Sequence, residues 1–381
     1  MKASDFILML NKLNADFFAG VPDSLLAPLI DEVISRYGIS KKHIVAANEG
    51  AAVGLAAGHY LATGSPAVVY MQNSGIGNSV NPICSLLHEK VYSIPVIFVI
   101  GWRGEPGVKD EPQHVFQGEV TLPLLDGMEI PYVIVSKETD DLSDAVKRFK
   151  SYIDNGKSVA FVIQKGALSN ENKPVYTSDA SITREAALEM ILGKSGSNDG
   201  SDSGNVYVCT TGKLSREVFE IREKQGAGHS FDFLTVGSMG HSLMIAQAIA
   251  LSKPDMKIFC LDGDGAALMH LGSLAVAGVQ GSTNLVHIVF NNGAHETVGG
   301  VPTVCARLNL SKVATSLGYK FSYQVNSLEE LPSVMNEIKD LEGPIFIEII
   351  CNLISRADLG RPTTAPIQNK NDFMKYLQGF D

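Results

Sequence analysis

The sequence predicts an α/β protein of two doubly wound parallel-sheet domains, and three observations carry the prediction. At 381 residues the chain exceeds the roughly 250 to 300 at which a single hydrophobic core stops growing, so two domains are expected. Short apolar runs rich in β-branched residues alternate with helical patterns along both halves, the rhythm of βαβ units. Between the halves, the twelve residues Gly193 to Gly204 are all Gly, Ser, Asn, Asp or Lys, a flexible-linker composition.

Each element follows from its local pattern. In the first half, DFFAGV (16–21) reads as a strand and SLLAPLIDEVI (24–34) as a helix. HIVAA (43–47) is a strand leading into EGAAVGLAAGHYLA (49–62), a helix of small residues. AVVYM (67–71), PVIFVIG (95–101), PYVIV (131–135) and VAFVIQ (159–164) are strands, with a helix over LSDAVKRFKSYI (142–153) before the last of them. After the linker the rhythm resumes with NVYVCTTG (205–212), a helix over SREVFEIREKQ (215–225), DFLTV (232–236) and a helix within GHSLMIAQAIALS (240–252). KIFCL (257–261), a helix over AALMHLGSLAVAGV (266–279), NLVHIVF (284–290), a helix near SLEELPSVMNEIKDL (327–341) and PIFIEII (344–350) complete the second half. Strands this apolar must be covered on both faces, as crossover helices would do. The expected organisation is a first domain at 1–180, a linker region at 181–204 and a second domain at 205–381.

Composition narrows the function. A formal charge of −10 repels nucleic-acid phosphates and anionic lipid, so neither nucleic acid nor membrane is an expected partner, and an anionic ligand needs named cations. The five cysteines lack CxxC spacing and sit mostly in apolar runs, which fits reduced thiols and a cytoplasmic location. Asp5, Asn11 and Lys12 interrupt the N-terminal apolar run, so no signal peptide is expected, and no window is apolar enough for a membrane span.

In open parallel sheets ligands bind beyond the carboxyl ends of the strands. The strand at 257–261 runs into Asp262-Gly263-Asp264-Gly265, and the strand at 284–290 ends in Asn291-Asn292-Gly293-Ala294-His295-Glu296. A carboxylate, an amide oxygen and a main-chain carbonyl converging there make a hard-oxygen set suited to Mg²⁺, with Asp264, Asn292 and the Ala294 carbonyl as candidate ligands. Gly263 and Gly265 let the backbone approach a diphosphate, and a helix starting at Ala266 turns its N-terminal dipole on the anion. Either turn alone is an ordinary loop motif; the two at this spacing are more specific.

GDG followed some 25 residues later by NN resembles the signature of the thiamine-diphosphate enzymes. That resemblance implies two cofactor-binding domains, a pyrimidine-binding domain followed by a diphosphate-binding domain, with thiamine diphosphate and Mg²⁺ as cofactors. It also asks the first domain for a glutamate to hydrogen-bond the aminopyrimidine, and Glu49, opening its helix of small residues, fits. Thr235-Val236-Gly237-Ser238-Met239-Gly240-His241 resembles the segment beneath the thiazolium ring, with Gly237 and Ser238 at the cofactor and Met239 as its apolar prop. Thr210-Thr211-Gly212 would offer hydroxyl and N–H donors to the diphosphate through Thr211 and Gly212.

The chain has no room for the third domain that most decarboxylases of this superfamily carry between the two. The bare two-domain order resembles that of the small phosphonopyruvate and sulfopyruvate decarboxylases, and several strings, among them AGVPDSLL, QNSGIGNSVNP, GWRGEPGVKDEPQH and NNGAHETVGG, resemble the phosphonopyruvate decarboxylases. The resemblance implies decarboxylation of 3-phosphonopyruvate to phosphonoacetaldehyde and CO₂ by a thiamine diphosphate ylide, with sulfopyruvate as the alternative substrate. The anionic 2-oxo acid would be met by Arg103 and Lys109 after the fourth strand and by Arg356 and Arg361 in the tail. Proton handling would fall to Asp23, to His114 in a loop over the site, and to His295. Larger decarboxylases have paired histidines where this chain has a lone His114. At least a homodimer is implied, with the site shared between subunits. A nicotinamide-dependent oxidoreductase is the rival of a different class, and no GxGxxG follows an early strand to support it.

Overall fold

The computed structural model describes residues 1–193 and 204–379, which fall into two compact units divided between Tyr176 and Thr177. The first unit holds β1 (Phe18–Gly20), β2 (His43–Val45), β3 (Ala67–Gln72), β4 (Val96–Gly101), β5 (Tyr132–Val135) and β6 (Val159–Ile163). They form one six-stranded sheet in the order β2-β1-β3-β4-β6-β5, parallel throughout. Every residue of β4 and β6 is buried, the pattern of strands covered on both faces. Val69, Met71, Phe98 and Ile100 pack on Ala52, Val53, Ala56 and Ala57 of the helix Glu49–Thr63, whose small side chains let the helix lie close to the sheet.

The second unit repeats the plan with β7 (Asn205–Cys209), β8 (Asp232–Leu234), β9 (Lys257–Gly263), β10 (Leu285–Asn291), β13 (Phe321–Val325) and β14 (Ile345–Ile350). Their order is β13-β14-β10-β9-β7-β8. A short antiparallel ribbon, β11 (Ala294–His295) with β12 (Val301–Pro302), follows β10 directly. The chain changes direction across the sheet between β1 and β3 in the first unit and between β7 and β9 in the second, so each unit has one switch point, the crevice where α/β sheets take ligands. β9 and β10 pair with Gly263 opposite Phe290, which sets the Asp264 and Asn291-Asn292 turns side by side at the same sheet end.

The expected linker region 181–204 needs correction at its start. Ile182 bridges to Cys351, and Arg184–Leu192 is a helix capped by the Thr183 hydroxyl, with Leu188 and Leu192 inside the second core. Three interior leucine or isoleucine positions spaced for one helix face outweighed the polar composition that follows. The rest of the Gly/Ser/Asn/Asp/Lys stretch, 194–203, lies outside the described residues. The loop expected around His114 is also corrected, because Pro112–Gly127 is a helix with Pro112 in its first turn, where a missing N–H costs nothing. Gly118, which reads as a breaker, is required by packing: a Cβ there would lie 1.7 Å from the Gly104 carbonyl oxygen. The tail after β14 is irregular only to Ala365 and closes with a helix, Pro366–Gln378.

Because Leu188 is wholly buried, Leu188→Ala should cost about 2–5 kcal/mol in denaturant-induced unfolding. A linker residue would change stability by less than about 0.5 kcal/mol.

Candidate active site

In the first unit the segments after β1, β2, β3 and β4 carry the polar groups. Glu49 opens its helix behind Asn48, whose side chain accepts the Ala51 N–H at 2.8 Å and so replaces a missing backbone partner. The Glu49 carboxylate is 5% exposed, and its Oε2 accepts from Asn78 Nδ2 at 2.7 Å. Its other oxygen lies against Gly75, where a Cβ would come within 2.6 Å of Oε1, so the glycine makes the room the carboxylate occupies.

Asp23, just beyond β1, is 4% exposed; its Oδ2 accepts the Leu25 N–H at 2.9 Å and the Leu26 N–H at 3.3 Å. Burial pushes its pKa up to about 6, against the pull of the Arg103 charge and those N–H donors. Gly101 at the end of β4 leaves it space, since a Cβ there would stand 2.6 Å from Oδ2.

Arg103 is held rather than free. Asp110 takes its Nε at 2.8 Å and Nη2 at 2.6 Å, and accepts the N–H of Gly104 and of Glu111 as well, closing the 103–111 loop on itself. Only Nη1 looks elsewhere, to the Ser24 hydroxyl at 3.3 Å, beside Asp23. Asn73, absent from the sequence-based site, pins this loop through its amide to the Arg103 carbonyl and N–H and to Thr121. Lys109 is exposed in the same loop, and His114 is half-buried on its helix with its N–H bonded to Glu111.

In the second unit, Asp264 is 3% exposed at the end of β9, and its Oδ2 accepts from Thr303 Oγ1 at 2.5 Å. Burial raises its pKa to about 7. Thr303, which no sequence pattern marked, also donates its N–H to the Gly293 carbonyl at 2.8 Å and so ties the two motif turns together. The two asparagines divide the work. Asn291 spends both ends of its amide, Nδ2 on the buried Glu348 and Oδ1 on the Gly293 N–H. Asn292 donates Nδ2 to Glu296 at 3.2 Å and accepts the Ala294 N–H at 3.1 Å. In the ribbon the Gly293 and His295 carbonyls accept from Thr303 and Gly300, so the Ala294 carbonyl between them faces away from β12. Asp262, the other motif carboxylate, turns inward: it accepts the Gly263 N–H at 2.9 Å and lies 3.5 Å from His287 Nε2.

Met239, Gly265 and His295 come together, since a Cβ on Gly265 would meet Met239 Cε and His295 Cε1 at 3.3 Å each. Ser238 beside them holds a positive φ of 55°, a strained conformation of the kind that clusters at functional sites. Burial lowers the His295 pKa to about 4, so this ring is neutral at pH 7 and is no imidazolium donor.

The diphosphate turn is partly corrected. The Thr211 hydroxyl donates to the Val236 carbonyl at 2.8 Å and is committed there, whereas the buried Thr210 Oγ1 has no hydrogen-bond partner. Gly212 holds a φ of +102°, a conformation that favours glycine. Arg356 is corrected too: its guanidinium is bound to Glu185, Glu220 and Asp358, tying the tail to two helices instead of standing open to an anion. Arg361 is exposed further along that tail.

The donor set suits a hydrated divalent cation and a phosphorylated cofactor: a buried carboxylate with no cation paired to it among the described residues, an amide oxygen, an outward carbonyl, and a buried hydroxyl that has no partner among those residues beside a glycine turn. Comparison with known proteins gives the class. Residues 1–130 match the N-terminal and residues 210–349 the C-terminal TPP binding domain of the thiamine pyrophosphate enzymes. Across 98% of this chain and 94% of its own length, a phosphonopyruvate decarboxylase of Streptomyces viridochromogenes is 33% identical. One from Streptomyces hygroscopicus is 32% identical over 99% of this chain and 94% of its length. A sulfopyruvate decarboxylase of Methanosarcina acetivorans is 25% identical over 85% of this chain and 84% of its length. The chain belongs to the phosphonopyruvate decarboxylase family of thiamine pyrophosphate enzymes.

The Asp23 carboxyl offers a pH test within the first unit. Its raised pKa means the folded state favours the protonated acid, a contribution fully present below about pH 4 and lost as the pH rises through about 6. Asp23→Asn removes the ionisable group, so its melting temperature should gain on the parent's between pH 5 and pH 8, by no more than about 3 kcal/mol of stability. A pH-independent difference would mean the carboxyl titrates normally.

Proposed function

We propose that the protein decarboxylates 3-phosphonopyruvate to phosphonoacetaldehyde and CO₂. The observation that carries this is identity of 33% to a phosphonopyruvate decarboxylase along 98% of the chain, with the two motif turns joined through Thr303. Thiamine diphosphate, when bound, supplies the electron sink for the pair left behind as CO₂ departs. Asp264, Asn292 and the Ala294 carbonyl would hold Mg²⁺, and Gly212, Gly265 and Ala266 would meet the diphosphate with backbone N–H groups, Gly263, whose N–H is taken by Asp262, giving only close backbone approach, and Thr210 adding a hydroxyl. Gly237, Ser238 and Met239 would support the cofactor ring.

Glu49 would hold a proton at the aminopyrimidine through Oε1, since Asn78 occupies Oε2. Asp23, with a pKa near 6, exchanges protons readily near neutrality and is the first unit's general acid in this reading. His295, neutral, would orient by hydrogen bonding, and His114 would line the entrance from its helix. Arg103, whose charge acts on Asp23, and Lys109 in the same loop as Arg103 would receive the substrate's phosphonate or carboxylate, joined by Arg361. The two halves of the machinery lie on separate units, and we assign the active form to at least a homodimer, in a cytoplasmic setting that suits five free thiols.

With thiamine diphosphate and Mg²⁺ supplied, CO₂ release should be faster from phosphonopyruvate than from sulfopyruvate or pyruvate; a preference for sulfopyruvate would overturn the substrate assignment. Glu49→Gln should leave cofactor affinity nearly intact while lowering turnover by orders of magnitude, because an amide cannot share the proton as a carboxyl does. Exchange of the cofactor's C2 proton, followed by NMR, reads that step directly. Arg103→Ala should lower kcat/KM for phosphonopyruvate by about ten- to a hundredfold, the loss of one charge-assisted contact worth about 1.5–3 kcal/mol. Arg356→Ala should leave the ratio between phosphonopyruvate and pyruvate unchanged.

A further inference from the structure

Asn292 serves a cation only if its amide shows the oxygen. The two ends of an asparagine side chain have nearly the same shape, so contacts decide which is which, and within the turn the Ala294 N–H, 3.1 Å from Oδ1, marks only the oxygen end. Glu296 fixes the other end. A carboxylate only accepts, so the end of the Asn292 amide that lies 3.2 Å from Glu296 Oε2 has to be the NH₂, which turns Oδ1 the other way.

Glu296 is in turn held ionised and in place. Arg184 Nη1 reaches its Oε2 at 2.5 Å and Lys213 Nζ its Oε1 at 2.9 Å. The two remaining donors on that side of Arg184 fork onto Glu217 at 2.6 and 2.8 Å, and Lys213 also donates to Ser355 Oγ at 2.6 Å. Two cations and two carboxylates balance, so the cluster adds no net charge beside a cation site, and its members come from separate segments of the second unit. The Glu296 side chain is 9% exposed and that of Glu217 2%, so water competes little for these bonds.

We propose that Glu296, clamped by Arg184 and Lys213, is a positioning residue that fixes the amide of Asn292 with its oxygen toward the divalent cation. It does not touch the cation itself. This rests on the reading of Asn292 as a ligand, given above.

The test is calorimetric titration of Mg²⁺ into the full-length protein in the presence of thiamine diphosphate. Glu296→Gln replaces an obligate acceptor by a group that can also donate, so the Asn292 amide loses the contact that holds its NH₂ end and keeps only the Ala294 N–H on its oxygen; Mg²⁺ affinity should fall about tenfold. In the double variant Asn292→Asp with Glu296→Gln the polarity of the bond is reversed, the new carboxylate accepting from the new amide, and an oxygen again faces the cation. Affinity should return to within a few-fold of the parent, and because a carboxylate shows an oxygen at either end, the rescue must exceed the affinity of Asn292→Asp alone, where two carboxylates would face each other. If Glu296→Gln does not fold, Glu296→Asp, which keeps the charge and draws the acceptor back by one methylene, should show the same loss. Affinity within twofold of the parent in the Glu296 variants, or a double variant no better than either single variant, overturns the positioning role. Asn292→Ala separates the two ideas: if it alone loses Mg²⁺ binding, the ligand assignment stands and the positioning role falls, and if it too binds as the parent does, the ligand assignment is wrong.

Discussion

A carboxylate taken out of water, with no cation paired to it among the described residues, organises the second unit. Asp264 lies at the end of β9 with a hydroxyl as the partner of one oxygen, and burial holds its pKa near 7. Such a group is costly as an anion unless positive charge arrives from outside the chain. The fold keeps it there through β9 and β10: pairing Gly263 with Phe290 leaves no choice about which turns become neighbours. Thr303 then closes the arrangement by bonding the carboxylate with its hydroxyl and the next turn with its N–H. A site of this kind is prepared by a destabilised group, and the binding of a cation would return what folding spent.

The paired asparagines do different work. Asn291 still belongs to the sheet, and its amide is consumed by Glu348 and the Gly293 N–H. That anchoring fixes the backbone from which Asn292 departs, and Gly293 follows at a φ of +67°, a conformation that favours glycine. The turn is thus rigid before any ligand arrives, as a precisely spaced oxygen set requires. The first unit uses the same device differently: Gly75 and Gly101 are small so that Glu49 and Asp23 can lie against the backbone.

How much of this was legible follows from which residues act locally. Strand, turn and helix are local, so the two doubly wound sheets, the Glu49 helix start, and the Asp264 and Asn292 turns could all be read in order. Thr303 could not, because its bond to Asp264 spans 39 positions and a threonine after a proline signals nothing by itself. Arg184 was hidden for a similar reason, standing in what composition marked as a linker while its partners are Glu217 and Glu296. Which of Thr210 and Thr211 turns its hydroxyl to the Val236 carbonyl is not legible either, because successive side chains of an extended segment point to opposite sides and a shift of one residue reverses the answer. Arg356 reads as a free cation only while Glu185 and Glu220 are thought to be elsewhere.

Those carboxylate partners alter what substrate recognition can rest on. In a chain of net charge −10, an arginine already chelated by aspartate or glutamate presents a dipole and a few remaining N–H groups, not a full positive charge. Arg103 illustrates the consequence. Asp110 holds two of its nitrogens and thereby aims the third, Nη1, toward Ser24 and the Asp23 carboxyl. An anion arriving there meets one oriented donor whose position is fixed by the loop, at some expense of long-range attraction. Discrimination between keto acids would then depend on geometry and on hydrogen-bond count more than on total charge. The same loop is fastened through Asn73 to the segment following β3, next to Gly75 and Glu49. The 103–111 loop and the segment against Glu49 are therefore mechanically one piece, and a substitution in that loop should be felt at Glu49 through Asn73.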